Sequence, residues 1–525
     1  MKMVVVLLGI ALVAILVHFY MVKTYKFWKR QGVKQRPFAW FLDDTWTNAL
    51  RMESPNDMFQ RIYNYFSNVR YFGIYQFAMP TLVVKDPTLI KQLAIKDFDH
   101  FEDHLQFMPE DVDPLWGKNL FALQGKKKWH ENRMLLSPAF TSSKLKMMFV
   151  LIREYAENLM EHLLKNDQNV YNVEAKYFFS RITNDLIATT SFGVAVDSFA
   201  DPNNRFYLMG KKITNISSLR TTFVILGVLF FRRFFKLLKM RFFEQDAANY
   251  FEELTNDIVK NREENGSVRP DMINLMVQAK NKSQEGEMGT KNESLTPELT
   301  SGRRSRNVTN EDIVAQAVIF FLGGFDSVSS LMCFMAYELA VNPEVQRKLR
   351  KEICNTWDEC GGTLTYDELS KMKYMDMVIS EALRKWPNFL FSDRVCTKDY
   401  TIEPESPDEQ PLHLKKGTLL MFPLYGIHHD PKYYPEPQRF DPERFNDENK
   451  QHINPYTYFP FGIGPRICLG SRFAIIETKA VFFYTLLNFE IVPLNETVIP
   501  VRASKKHFNL QPEQLKLGLK RVVKP

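Results

Sequence analysis

The chain has 525 residues, of which 45% are hydrophobic, 14% aromatic and 25% charged, and this composition excludes global disorder. Its 68 Lys and Arg residues against 61 Asp and Glu residues give a formal charge of +7, which is too mild for this length to predict a nucleic-acid partner. The five Cys residues are odd in number and include no C-x-x-C pair, which argues against a disulfide framework and a structural zinc site of that type.

The amino terminus is predicted to hold a membrane anchor, residues 1–22. Residues 3–22 contain no Asp, Glu, Lys or Arg, and as a helix they would span about 30 Å of hydrocarbon. The run is longer than the apolar core of a cleaved signal peptide and lacks an A-x-A-like cleavage site. Lys and Arg recur in the basic linker that follows, 23–40, whereas only Lys2 precedes the run. The positive-inside rule therefore predicts that the body of the protein, 41–525, lies in the cytosol.

A second apolar stretch, 223–243, carries basic residues such as Arg232 and Lys236 among its Phe and Leu residues. A transmembrane span would not place these charges in its middle, so a segment lying in the lipid headgroup region is favoured. The alternative is a core helix whose cations extend to the solvent.

Helical signals dominate the rest of the body and the strands are short. Thr309 followed by Asp312 resembles a capping box, and it predicts a helix of about 32 residues that ends before Pro343. Pro343 suits the first turn of the next helix, and Thr365 with Glu368 predicts another helix start.

Near the carboxyl end, the loop from Phe461 to Gly470 has the pattern F-x-x-G-x-R-x-C-x-G. It presents the thiol of Cys468 just before a predicted helix, where backbone N–H groups and the helix dipole favour a thiolate. This loop resembles the haem-binding loop of the cytochrome P450 family, the haem-thiolate monooxygenases. The resemblance implies a mainly α fold with small β-sheets, a single large haem domain behind an N-terminal transmembrane helix, and haem b (iron protoporphyrin IX) with Cys468 as axial iron ligand and Phe461 beside it.

Two further segments agree with the resemblance. Glu381 and Arg384 match the E-x-x-R helix of the family, and their i, i+3 spacing places both charges on one helix face. Arg444, in the segment PERF, matches the family's third member of this buried structural network.

Four residues are similar to those that contact the haem propionates in the family. Trp129 and Arg133 match its W-x-x-x-R helix, where the i, i+4 spacing lets a ring N–H and a guanidinium face one anion. Arg394 and Arg466 look like further propionate ligands.

The predicted long helix contains G-G-F-D-S at 323–327, similar to the family's oxygen-activation motif. An acid and a hydroxyl can relay protons through water, which implies catalytic roles for Asp326 and Ser327. The family's usual Thr is replaced by Ser327, which lacks the methyl that restricts the rotamer, so a leakier relay is expected. The predicted substrate pocket includes these five residues: Ile319, Leu322, Gly323, Phe389 and Leu390.

No nicotinamide-binding motif is present, so electrons must come from another protein. The resemblance implies NADPH-cytochrome P450 reductase, with a b-type cytochrome as a second candidate, O2 and a lipophilic substrate as small-molecule partners, and a location on the cytosolic face of the endoplasmic reticulum membrane. Two stretches, FFLGGFDSVSS and RPDMINLMVQAK, look like insect members that oxidise plant toxins and insecticides. Open alternatives are the biosynthetic oxidation of a hormone or lipid, the rearrangement of peroxides without a reductase, and ligand binding without turnover.

Overall fold

The computed structural model describes residues 25–36, 44–76, 79–165, 168–266, 269, 271–289, 308–507 and 509–522. The predicted anchor helix, 3–22, lies outside these residues.

α-Helices form most of the fold. In chain order, those of the first half are α1 (Phe27–Arg30), α2 (Trp46–Ala49), α3 (Pro55–Tyr63), α4 (Pro87–Lys91), α5 (Pro114–Gly117), α6 (Lys126–Leu136), α7 (Ser142–Leu164), α8 (Ala175–Ile187), α9 (Arg205–Ile213) and α10 (Leu219–Leu237). Those of the second half are α11 (Gln245–Asn265), α12 (Met272–Gly289), α13 (Asn310–Leu322), α14 (Val328–Val341), α15 (Pro343–Glu359), α16 (Tyr366–Lys371), α17 (Lys373–Lys385), α18 (Leu424–His428) and α19 (Ser471–Asn488).

Short strands form small sheets beside the helices. The strands are β1 (Tyr71–Gln76), β2 (Met79–Val84), β3 (Val170–Glu174), β4 (Ser392–Val395), β5 (Tyr400–Ile402), β6 (Leu412–Leu414), β7 (Leu419–Phe422), β8 (Phe489–Pro493) and β9 (Lys516–Arg521). The largest sheet has the order β1-β2-β7-β4, in which only the β2–β7 pair is parallel. A second sheet has the order β3-β9-β8, and β5 pairs with β6. The prediction of a mainly α fold with small sheets is confirmed.

Local sequence signals explain where several helices begin. The Thr309 side chain accepts the Asp312 N–H, and the Asp312 carboxylate accepts the Thr309 N–H in return, so the predicted capping box starts α13. Thr365 and Glu368 form the same reciprocal pair at α16. Pro343 occupies the first turn of α15, where its missing N–H has no helical partner to lose.

The long helix predicted after Thr309 is present, but it is not uniform. Its two α-helical parts, α13 and α14, are joined by a π-helical turn at Gly323–Ser327. Residues 310–341 together are long and apolar enough to cross a membrane, yet most of the apolar stretch is buried inside the protein. The helix is therefore the central core helix, with a geometric irregularity at the motif 323–327.

Two clusters of buried apolar side chains stabilise the fold. The larger surrounds the long helix, and the smaller covers the four-stranded sheet. Trp28, from the segment predicted as a basic linker, belongs to the smaller cluster and is fully buried. Its indole Nε1 donates to the Ile74 carbonyl at 3.1 Å, and it lies so close to Gly73 that a Cβ there would overlap the indole ring. Residues 25–36 are thus packed on β1.

Candidate active site

The loop before α19 is a tight turn built from glycines. Gly462 and Gly464 adopt φ values of +84° and +74°, a region that favours glycine. A Cβ at Gly464 would also collide with the Ala94 carbonyl oxygen. The Cys468 N–H donates to the Phe461 carbonyl at 2.8 Å, which closes the loop and fixes the position of the cysteine.

Cys468 is exposed as a residue, although protein surrounds most of its thiol. Burial raises the pKa of this thiol, whereas the backbone N–H groups of Gly470 and Ser471 and the nearby Arg133 guanidinium act in the opposite direction. Ser471 is the first residue of α19, so the helix start supplies donors aimed at the sulfur. Burial outweighs these groups, so the pKa of the free thiol lies above its usual value, while the N–H groups and Arg133 are the groups that would stabilise a thiolate.

The predicted charge network on α17 is assembled. Arg384 donates from Nε and Nη2 to the two carboxylate oxygens of Glu381, both at 2.8 Å, and both side chains are 0% exposed. Arg384 also donates to the His428 carbonyl at 3.0 Å. Arg444 places its Nε 3.4 Å from Glu381 Oε1 and donates from Nη2 to the Glu436 carbonyl at 3.0 Å. The network joins α17 to the segment before the cysteine loop.

Arg394 is carried by β4 and is buried. Its Nη2 donates to the Ile463 carbonyl of the cysteine loop at 2.7 Å, and burial lowers its pKa to about 10. In the described part of the chain, its Nε is buried and has no hydrogen-bond partner.

Arg466 donates to three backbone carbonyls, those of Glu102, Leu120 and Leu123, and lies 3.3 Å from Asp103 Oδ1. Burial lowers its pKa to about 9. Its guanidinium therefore ties the cysteine loop to the segment 102–123.

Trp129 and Arg133 lie on α6, one helical turn apart. The Trp129 ring is buried beneath the Arg466 guanidinium, 4.4 Å from the ring centre. Arg133 lies close enough to Cys468 for the two charges to affect each other's pKa. Among the described residues, no acceptor takes a hydrogen bond from the Arg133 guanidinium.

The π-helical turn frees backbone carbonyls that polar side chains then satisfy. Ser327 Oγ donates to the Gly323 carbonyl, and Thr183 Oγ1 donates to the Phe325 carbonyl at 2.9 Å. The carboxylate of Asp326 forms an ion pair with Lys176 of α8, with Nζ 2.8 Å from Oδ1. Ser327 is thus fixed within its own motif, whereas the partner of Asp326 lies on another helix.

The two glycines of the motif have different surroundings. A Cβ at Gly324 would lie 2.5 Å from Ile187 Cδ1, so this glycine allows α8 to approach the π turn closely. A Cβ at Gly323 would meet no heavy atom within 4 Å. Gly323 therefore borders open space on the same helix.

Substitution by alanine is expected to separate these roles. Gly324→Ala should lower the free energy of unfolding by about 1–3 kcal/mol, because the added methyl overpacks the contact with Ile187. Gly323→Ala should leave it unchanged or raise it by up to about 1 kcal/mol, because alanine is the better helix former. Denaturant unfolding of the two matched variants measures the difference, and equal losses for both would contradict this assignment.

The predicted pocket residues are not equally placed. Ile319 and Leu322 are partly buried on α13, beside the exposed Gly323. Phe389 is 51% exposed, whereas Leu390 is buried and its carbonyl accepts the Tyr425 N–H at 2.9 Å. Leu390 is therefore a core residue in this structure, and Phe389 is the member of the pair with accessible surface.

Comparison with known proteins agrees with this geometry. Residues 45–519 match the family model for Cytochrome P450. Cytochrome P450 9e2 of Blattella germanica is 41% identical over 508 residues, which cover 94% of this chain and 93% of the relative. Probable cytochrome P450 9f2 of Drosophila melanogaster is 38% identical over 503 residues, 93% of each. Cytochrome P450 6k1 of Blattella germanica is 33% identical over 502 residues, 95% of this chain and 93% of the relative.

The chain belongs to the cytochrome P450 family. It is accordingly a monooxygenase, an oxidoreductase of the class that uses O2, a haem group and electrons from a redox partner. The residues of this P450 fit a haem group on the Cys468 thiol. Cys468 offers a sulfur ligand; Arg394 Nε and the Arg133 guanidinium, which have no hydrogen-bond acceptor among the described residues, offer two cationic donors; and Gly323 leaves open space on the long helix.

Sequence reasoning missed several residues that position the site of this P450. Asp103 pairs with Arg466, and Asp393 accepts from His104, with its Oδ1 2.8 Å from His104 Nδ1. Lys176 pairs with Asp326 from 150 residues away in the sequence. No local spacing could have indicated these contacts, because each joins segments that only the fold brings together.

Proposed function

We propose that this P450 is anchored in the endoplasmic reticulum membrane with its body in the cytosol and that it oxidises lipophilic foreign compounds such as plant toxins and insecticides. The observation that carries the proposal is Cys468, an exposed cysteine whose sulfur accepts hydrogen bonds from backbone N–H groups at the start of α19. Haem b would supply the oxygen-activating iron, and the Cys468 sulfur would hold it. NADPH-cytochrome P450 reductase would supply the electrons, with a b-type cytochrome as a second donor.

The chain's own residues would bind and orient the haem. Arg133 and Arg394, which have unpaired donors, would bind its propionates. Trp129 would support them, and Arg466, whose guanidinium lies 4.4 Å from the centre of the Trp129 ring, would add a further positive charge. Phe461 would pack beside the thiolate loop that it closes.

The residues of the long helix would handle protons and substrate. Asp326 would exchange protons with Ser327, whose hydroxyl would hold a proton beside the open space at Gly323. Ile319, Leu322, Gly323 and Phe389 would contact the substrate, and Leu390 would support Phe389 from the core.

The helix α10 supports contact with a membrane in addition to the predicted anchor at 3–22. It breaks at Phe231, which has φ −134° and ψ 41°, and many of its apolar side chains are exposed. Leu219 is 69% exposed and Leu237 is 79% exposed. Arg232 and Lys236 lie on the same helix and pair with Asp111. Exposed apolar residues interleaved with cations suit a lipid headgroup region.

The test is NADPH consumption by membranes that contain this protein and a matching reductase, with and without a panel of plant toxins, insecticides and fatty acids. Substrate-stimulated consumption with oxygenated products from several foreign compounds is the expected result. Turnover of one endogenous lipid alone would favour a biosynthetic role. Bound haem without stimulation by any compound would overturn the monooxygenase proposal in favour of peroxide rearrangement or ligand binding.

A further inference from the structure

The carboxylate of Asp326 is held by side chains from two separate elements. Lys176 approaches from α8, as described above. Gln511, in the loop between β8 and β9, donates from Nε2 to both carboxylate oxygens at 2.9 and 2.8 Å. Asn509, from the same loop, donates from Nδ2 to Oδ2. Asn509 and Gln511 are 8% and 6% exposed, so these amides are buried against the carboxylate.

The loop itself is fixed at its base. The Ser504 N–H donates to the Gln511 carbonyl at 2.8 Å, and Ala503 pairs with Pro512 in an isolated β-bridge. The Leu510 N–H donates to the Asn388 carbonyl at 3.2 Å, beside the proposed substrate contact Phe389. The amides of Asn509 and Gln511 are therefore presented from a constrained hairpin.

Lys176 is also held by hydrogen bonds other than its ion pair with the Asp326 carboxylate. Its ammonium also donates to Ser329 Oγ at 2.8 Å, to Ser330 Oγ at 2.9 Å and to the Asp326 carbonyl at 3.2 Å. These bonds would keep Lys176 at the π turn even if the Asp326 side chain rotated. The amides of the loop are thus the groups that fix the direction of the carboxylate.

The charges around Asp326 favour its ionised form. Burial would raise its pKa, but the charge and hydrogen bond of Lys176 and the hydrogen bond of Asn509 outweigh burial and lower the pKa below its usual value. His507 of the same loop adds a smaller effect in the same direction. The charges of Lys176, Glu174 and Asp326 all act on the pKa of the buried Cys333 thiol, so Cys333 and Glu174 are further titratable groups near this ion pair.

We infer that Asn509 and Gln511 are positioning residues for the proton relay: they hold the Asp326 carboxylate in one orientation, against Lys176, and so determine how it exchanges protons with Ser327. The inference rests on the proposed relay role of Asp326. Each proton that Asp326 passes on must be replaced by one from Lys176 or water. Its orientation therefore controls how many of the electrons consumed end in oxygenated product.

The test compares Gln511→Leu and Asn509→Leu with Gln346→Leu in the full-length protein with its haem and reductase. Gln346 is a suitable control because it is buried and also makes several hydrogen bonds, to the backbone of Leu339 and Ile491. The readouts are product formed per NADPH consumed and the pH dependence of this ratio. We expect the ratio to fall about two- to tenfold in the loop variants, since each removes a hydrogen bond to a charged group shared among several donors. In the loop variants, the fall of this ratio on the acidic side of the pH profile should move to higher pH, because the pKa of Asp326 rises when a hydrogen-bond donor is lost.

If Gln511→Leu and Gln346→Leu change the product-to-NADPH ratio and its pH dependence equally, Gln511 has only a packing role and the inference is overturned.

A second readout needs no turnover. The melting temperatures of Gln511→Leu, Asp326→Asn and the double variant should show losses that do not add, because the single changes remove the same contact. Additive losses in melting temperature would show that Gln511 does not hold the Asp326 carboxylate. A wild-type protein without substrate-dependent turnover would instead overturn the proposed function, and the melting temperatures would still decide whether the contact exists.

Discussion

Cys468→Ser is expected to remove the thiolate signature from the absorption spectrum of the carbon monoxide complex and to lower substrate oxidation by at least about a hundredfold. A serine hydroxyl is far less acidic than a thiol, so the N–H groups of Gly470 and Ser471 would face a neutral oxygen in place of a thiolate. Without the electron density of the thiolate, cleavage of the oxygen–oxygen bond loses its main assistance. The difference between the spectra of the reduced purified protein with and without carbon monoxide measures the first effect.

Cys360→Ser is the matched control. Cys360 lies at the end of α15, where its Sγ donates to the Trp357 carbonyl at 3.3 Å. The substitution therefore makes the same thiol-to-hydroxyl change outside the proposed site. The control should keep both the spectrum and the activity. A thiolate spectrum that survives in Cys468→Ser would show that another residue ligates the haem.

Glu381→Ala is expected to lower the free energy of unfolding by about 3–5 kcal/mol. The change leaves the guanidinium of Arg384 buried and without its carboxylate partner, and Arg444 loses the same anion. The main-chain N–H of Asp441, which donates to Glu381 Oε1 at 3.0 Å, loses its acceptor as well. Because this network joins α17 to the segment before the cysteine loop, haem retention should fall together with stability.

The control is Glu264→Ala on α11. Glu264 belongs to an i, i+4 ion pair with Lys260 in which both side chains are exposed, so its loss should cost no more than about 0.5 kcal/mol. Denaturant unfolding of the two variants under identical conditions gives the comparison. Similar losses for Glu264→Ala and Glu381→Ala would mean that the buried network is not what stabilises this region.

Features that are determined locally could be predicted from the sequence. The cysteine loop depends on glycines with positive φ, the helix starts at Thr309 and Thr365 depend on residues three positions apart, and Glu381 and Arg384 share a helix turn. In each case the sequence spacing and the contact distance are linked by the geometry of one turn.

Contacts between distant segments could not be predicted in this way. Asp326 was recognised as a candidate acid, but its partners Lys176, Asn509 and Gln511 come from two elements far away in the chain. The π turn at 323–327 was also unforeseen, because its glycines and serine are equally compatible with an ordinary α-helix. The partners of Asp326 and the π turn depend on the packing of α8 and of the β8–β9 loop against this part of the long helix.

If residues 3–22 form a membrane anchor as proposed, the packing of Trp28 limits how far the body can move from the membrane. If residues 3–22 cross the bilayer, the six residues 23–28 are all that separate the hydrocarbon from an indole ring locked against Gly73 and Ile74. A fully extended chain of that length reaches only about 20 Å. The segment 23–28 would therefore be too short to let the body reorient freely relative to the bilayer. The edge of the sheet at β1 would stay beside the lipid. Every lipophilic compound dissolved in the bilayer would then meet the same side of the enzyme.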